Sequence, residues 1–259
     1  MSELRDVTAA FLTQCDALDD AVAARDDTDW RRATPAAGWD VADQVAHLAW
    51  TDEVALLACA DPTRFQELVA QAMTTPDIVD LEAHRWASRP RAELLATWRE
   101  GRRRLVEALE SRPGDAGRIP WFGPPMSARS MATARLMETW AHAQDVYDAL
   151  GLARPTNEGL GDIAHLGVRT RDFAYGINDV PPPTEEFRIE LADGEGALST
   201  WGPPDAAGRV EGDLEEFVLL VTQRRSADDL NLRFEGEART WATIAQAFAG
   251  RPGRRGASS

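Results

Sequence analysis

The chain has 259 residues, a formal net charge of −15 and a hydrophobic fraction of 44%, enough for one large domain or two modest ones with a real core. So acidic a balance argues against nucleic acid or an anionic membrane as the main partner, because both need a basic footprint. All 28 basic residues are arginine and none is lysine, which rules out lysine Schiff-base chemistry.

The first 20 residues are acidic and lack the apolar core of a signal peptide. No apolar run approaches the roughly 20 residues needed to span a bilayer. Cys15 and Cys59 suggest no disulfide framework, and each lies in an amphipathic segment where a buried, inert thiol is expected. A reducing cytoplasm is the expected setting.

In chain order, Leu4, Val7, Phe11, Cys15 and Leu18 recur at helical spacing and predict a first helix over Ser2–Ala24. A polar loop, Asp26–Gly38, contains Pro35. Asp40 then caps a helix whose apolar positions include Val41, Val45, Leu48, Val54 and Leu57, ending near Asp61-Pro62. Two shorter helical segments follow, about Pro62–Met73 and Asp77–Ala87. Arg91–Glu110 is a long amphipathic helix with Leu94, Leu95, Trp98, Leu105 and Leu109 inward, and its run Arg102-Arg103-Arg104 reads as a solvated face. Arg112–Pro125 is a Gly/Pro loop in which Trp121 and Phe122 either plug the end of a bundle or line a pocket.

The stretch Ser127–Leu150 is the longest helix candidate, with Ser127 as N-cap and Gly151 as its stop. It completes a set of four long helices, which suits an up-down bundle with inward-facing ligands. Asn157–Tyr175 reads as one more helix. After Pro181-Pro182-Pro183 the pattern alternates. Strands are expected at Phe187–Leu191, Ala197–Trp201, Arg209–Glu211 and Asn231–Phe234, and helices at Leu214–Arg224 and Trp241–Phe248. The expected organisation is a helical bundle over residues 1–178, a small α+β domain over 184–249, and a disordered Gly/Arg/Ser tail over 250–259.

Within the long helix, Glu138 and His142 stand four residues apart. On a helix this stacks them on one face, about 5–6 Å apart at Cβ, close enough to share a cation. Such a pair also occurs as a simple surface contact. Their neighbours Met137, Trp140, Ala141 and Val146 are mostly apolar, so the pair needs hydrogen bonds, an ionic partner or a metal. His47 lies beside the apolar stripe of the Asp40-capped helix. His47, Glu138 and His142 together would give a metal three N/O ligands and leave open positions. Asp145, one turn beyond His142, is either the acceptor that orients the imidazole or a solvated acid. His84 and His165 have no partner motif and are expected to be structural or surface residues.

The stretches GWDVADQVAHLAWTDE and METWAHAQDVYDALG resemble the mycothiol-dependent maleylpyruvate isomerase family, a branch of the DinB-like metal-binding four-helix bundles. The loop Pro120-Trp121-Phe122-Gly123-Pro124-Pro125 and the VTQRR run at Val221–Arg225 are similar to a subfamily known mainly as metal-binding proteins. The resemblance extends over about Asp6–Ala249. It implies an α+β architecture, with a DinB-like four-helix bundle followed by a small sterol-carrier-like domain. Carried over by motif, it makes His47, Glu138 and His142 the ligands of a divalent cation, zinc foremost, with nickel, iron or manganese as alternatives.

In the resembled family the metal is thought to hold the thiolate of mycothiol, which adds to a small electrophile. In the isomerase, addition and elimination turn a cis double bond trans. The family's arginine from the C-terminal domain matches Arg224, which would bind a substrate carboxylate; otherwise Arg224 and Arg225 simply cap their helix. Trp121 and Phe122 are the candidate substrate-binding residues. The implied activity is a metal-dependent isomerase or thiol S-transferase, whose partners are a small substrate and a small thiol. The competing expectation is a metal-binding protein without thiol chemistry, either a metal-water hydrolase or lyase or a non-catalytic module. Neither the substrate nor an oligomeric state is readable from the residues.

Overall fold

The computed structural model describes residues 3–113 and 116–248. The chain divides into two compact units at Glu158/Gly159.

In the first unit, seven helices carry the fold: α1 (Leu4–Ala23), α2 (Asp27–Trp30), α3 (Val41–Ala60), α4 (Pro62–Thr74), α5 (Ile78–Ala87), α6 (Arg91–Glu110) and α7 (Ala128–Leu150). Their starts follow from local chemistry. Asp40 and Asp43 form a reciprocal capping box at the head of α3, each side chain accepting the other's backbone N–H at 2.9–3.0 Å. Ser127 accepts the Ser130 N–H at 3.0 Å to open α7, and Gly151 closes it with φ 66°, a left-handed conformation that glycine adopts without steric cost. The four long helices α1, α3, α6 and α7 make the bundle, α3 packing on α6 and α7, and α1 on α7 and α6. Phe11, Leu18, Val45, Leu48, Trp98, Leu105, Leu136 and Trp140 fill the core. Each such side chain contributes about 1.5–3 kcal/mol by leaving water.

One expectation fails here. Arg102 is not solvated but 6% exposed. Its guanidinium lies over the Trp98 ring at 4.6 Å and reaches Asp16 at 2.7 Å and Asp19 at 3.2 Å on α1. Of the three consecutive arginines, helical geometry turns only Arg102 toward α1, where acids are waiting.

The second unit holds α8 (Leu160–Arg169), α9 (Arg171–Ile177), α10 (Leu214–Val221), α11 (Ala238–Ala242) and strands β1 (Arg188–Ala192), β2 (Leu198–Trp201), β3 (Arg209–Asp213) and β4 (Arg233–Glu235). The sheet runs β2-β1-β3-β4, with β1 and β3 parallel and both outer pairs antiparallel. Ile189, Leu191 and Val210 are its buried side chains, and α10 packs on β1, β3 and α8. The α+β class is as expected.

Several boundaries differ from expectation, and α10 stops at Val221 rather than Arg224. Asn157–Tyr175 is not one helix but two, broken at Thr170, whose hydroxyl donates back to the Leu166 carbonyl at 3.0 Å. These two helices group with the sheet, so the division falls before the proline run. Gly167 on α8 meets α10 so closely that a Cβ there would stand 2.8 Å from Val221, and Trp201 Nε1 donates to His165 Nδ1 at 3.1 Å. The last helix spans Ala238–Ala242 rather than Trp241–Phe248. Beyond it the chain leaves the helical path, and the Ala247 N–H donates to the Val221 carbonyl at 2.8 Å. The expected tail over 250–259 lies outside the described residues.

Candidate metal centre

Helices α3 and α7 meet along a seam whose polar residues pair in antiparallel order. At one end Asp52 and Arg135 form a fully buried ion pair at 2.9 Å, with Trp98 Nε1 donating to the same carboxylate at 3.2 Å. Arg135 also donates to the Thr51 hydroxyl at 2.7 Å, and Thr51 in turn donates to the His47 carbonyl at 2.7 Å. One turn on along α7 stands Glu138, and one further turn on stands His142, whose Nδ1 meets Gln44 of α3.

The seam therefore brings His47, Glu138 and His142 together, as their spacing suggested. Their ligand atoms all lie within 4.8 Å of one another. Nε2 of His142 is 3.2 Å and Nε2 of His47 is 3.5 Å from the same oxygen, Glu138 Oε2. Tetrahedral zinc with bonds of about 2.1 Å holds its ligands about 3.4 Å apart. The two nitrogen–oxygen separations match that edge, and two imidazole nitrogens with one carboxylate oxygen are a donor set suited to zinc and its neighbours. His47 is 7% exposed and its Nδ1 has no hydrogen-bond partner. Burial works to raise the Glu138 carboxyl, but hydrogen bonds and charge from His142 and His47 outweigh it and hold it well below the usual carboxylate range. A deprotonated carboxylate flanked by two imidazoles is the state a cation requires.

Aromatic rings surround the cluster. The His47 and His142 rings lie 4.4 Å apart. The Trp39 indole stacks on His142 at 5.8 Å and 19°, and tilts over His47 at 5.2 Å. Trp50 stands 6.2 Å from His47 on the same helix. Trp39 is held in turn by its Nε1, which donates to Asp80 of α5 at 2.8 Å. Neither Gln44 nor Trp39 was singled out by the sequence reading. Gln44 lies one turn before His47 on the same helix, a spacing that could have drawn attention to it.

The remaining candidates lie as follows. Asp145 is buried on α7. Trp121 and Phe122 sit on a loop closed by the Ile119–Met126 bridge. Their rings pack on Phe65 of α4 at 5.8 Å and 5.3 Å and on each other at 5.3 Å. Arg224 follows α10, past Gln223 with φ 58°, and its Nη1 donates to the Thr222 carbonyl at 2.7 Å. His84 pairs with Asp43 at 2.8 Å. Cys15 is fully buried, which pushes its thiol far up, and Cys59 is shifted in the same direction for the same reason.

Fold and site together define a class: a helical bundle with a His–Glu–His cluster able to hold a metal ion, followed by a small α+β unit. A family model described as mycothiol maleylpyruvate isomerase N-terminal domain matches residues 11–147, and the chain belongs to that family. Two uncharacterized proteins of Mycobacterium tuberculosis, from strains CDC 1551 / Oshkosh and H37Rv, are each 52% identical over 248 residues, covering 95% of this chain and 96% of theirs. The crystal structure of a mycothiol-dependent maleylpyruvate isomerase matches with a TM-score of 0.60 at 15% identity, covering 98% of this chain and 97% of that one. A histidine-to-alanine variant of a mycothiol-dependent maleylpyruvate isomerase gives 0.58 at 14% identity with the same coverage. At that identity the fold is what is shared.

Proposed function

We propose that this protein is a divalent-metal-dependent enzyme that applies a low-molecular-weight thiol, mycothiol in kind, to a small electrophilic substrate, as an isomerase or S-transferase. The observation that supports this best is the convergence of two imidazole Nε2 atoms on one Glu138 oxygen at 3.2 and 3.5 Å. In this reading His47, Glu138 and His142 hold the cation. When bound, zinc would favour the deprotonated form of a thiol and polarise a carbonyl. The protein's own residues do the rest. Trp39 and Trp50 exclude water from the two histidines, which strengthens every charge interaction beside them. In the same reading Asp145 steadies the His142 turn, Trp121 and Phe122 contact the substrate, and Arg224 binds its anionic end through two parallel donors. A reducing cytoplasm, where free thiols persist, is the proposed setting.

The test pairs metal analysis of the purified protein with turnover of an electrophilic acid, maleylpyruvate among those assayed, with and without mycothiol. Stoichiometric metal and thiol-dependent turnover are expected. Equal turnover without thiol would sink the thiol enzyme in favour of metal-water chemistry. Absence of metal binding would remove the cation altogether.

A further inference from the structure

A histidine that ligates through Nε2 must carry its proton on Nδ1, and something has to hold it there. On His142 the Nδ1 atom is 2.5 Å from Gln44 Oε1. An amide can face either way, so this contact alone does not say which atom carries the proton. The next two links do. Gln44 Nε2 donates to the Thr34 hydroxyl at 2.8 Å, and that hydroxyl donates to the Trp39 backbone carbonyl at 2.9 Å.

A carbonyl oxygen has no proton to give, so the Thr34 hydroxyl must spend its single proton on Trp39. Thr34 is then an acceptor toward Gln44 and faces the NH2 end of the amide. That leaves Gln44 Oε1 facing His142, and an acceptor there requires Nδ1–H. Reversing the amide would set the Thr34 and Trp39 oxygens against each other at 2.9 Å with no proton between them. Gln44 is 0% exposed, so no water competes at the amide itself.

We infer that Gln44 and Thr34 are positioning residues, a relay through which the Trp39 backbone carbonyl fixes a proton on His142 Nδ1 and so reserves Nε2, the nitrogen facing Glu138, for ligation. The same relay ties the metal ligand to the segment whose indole covers both histidines. Because the Thr34 N–H also donates to the Trp39 carbonyl at 2.9 Å, removing the hydroxyl leaves that turn standing while releasing the amide.

The Nδ1 proton does not depend on the proposed metal chemistry; only its consequence for affinity does. In metal-free protein the Glu138 carboxylate, 3.2 Å from His142 Nε2, calls for a proton on that nitrogen, so the relay is read in a Glu138→Leu background. There 15N NMR of the ring nitrogens at alkaline pH reports the tautomer, and the four histidines of the chain keep the spectrum assignable. His142 in this background is expected to carry its proton on Nδ1. Adding Gln44→Leu or Thr34→Val is expected to mix the tautomers, whereas Thr34→Ser keeps the Nδ1 form. In chelator competition with Glu138 in place, Gln44→Leu lowers zinc affinity by about 10–100-fold, and Thr34→Ser stays near the parent. A proton on Nε2 in the Glu138→Leu background overturns the inference, and so does an unchanged tautomer in its folded Thr34→Val derivative. The Nδ1 form in that background, with no zinc binding by the parent, would instead overturn the metal reading and leave the relay in place.

Discussion

Replacing Glu138 by Gln tests the centre with almost no change of shape. The carboxylate oxygen shared by the two histidines, at 3.2 and 3.5 Å, becomes half of a neutral amide, and the cation loses its one anionic ligand. The size of the effect follows from linkage. With free zinc at 100 times its Kd, binding stabilises the parent by about 2.7 kcal/mol. For a unit of this size that raises the melting midpoint by roughly 5–11 °C. If the variant binds a hundredfold more weakly, the same zinc concentration only half saturates it. The stabilisation then falls to RT ln 2, about 0.4 kcal/mol, a shift of about 1–2 °C. Calorimetry on metal-free protein, with and without zinc, reads both numbers. A Glu138→Gln variant that keeps the full zinc-induced shift would refute the assignment of Glu138 as a ligand.

Acid should act on the metal-free centre in a defined direction. The Glu138 carboxyl is held below the usual range because hydrogen bonds and charge from His142 and His47 overcome its burial. Its stabilising contribution is therefore complete above the ordinary carboxylate range and is lost as pH falls through its depressed value. Denaturant midpoints in acid should fall less steeply in Glu138→Gln than in the parent, and parallel profiles would contradict this. Arg224→Lys, which removes the planar donor fork, is expected to lower turnover by one to two orders of magnitude, about 1.4 kcal/mol per tenfold, with metal content unchanged. Full activity in that variant would remove the arginine from the proposed site. Arg135→Met strands the Asp52 carboxylate in the core and should cost about 3–5 kcal/mol in urea unfolding, most of it recovered by adding Asp52→Leu. A loss under about 1 kcal/mol would mean the pair is not dry.

The bundle was readable because its signals are local. Helical periodicity, the Asp40 and Ser127 caps and the stop at Gly151 each act within a few residues, and α6 emerges with the bounds its apolar spacing implied. The three candidate ligands were legible for the same reason, Glu138 and His142 through their spacing of four and His47 through its place beside an apolar stripe. What escaped depends on partners distant in sequence. Gln44 looks like any polar helix residue until α7 brings His142 against it, 98 positions away. Arg102 reads as solvated until α1 supplies Asp16 and Asp19. The proline run reads as a boundary, yet α8 packs on α10, with Gly167 close against Val221. That contact has no periodicity to announce it.

The seam between α3 and α7 also explains why a cation would settle where it does. Asp52 and Asp19 are both buried carboxylates, and each is answered by arginine, Asp52 by Arg135 at 2.9 Å and Asp19 by Arg99 and Arg102 at 2.6 and 3.2 Å. Those guanidiniums neutralise the acids and satisfy their lone pairs, so nothing there invites a further ion. Glu138, one turn from Arg135 on the same helix, meets two imidazoles instead. An imidazole in its neutral form supplies a lone pair rather than charge, and in that form it leaves the carboxylate's negative charge to be balanced by something else. Protons can do this in acid. At neutral pH a divalent cation does it better, since it uses the carboxylate and both lone pairs at once. The difference between a structural ion pair and a metal site on this seam is thus the identity of the facing residue on α3. Asp52 faces an arginine. His47 faces a glutamate.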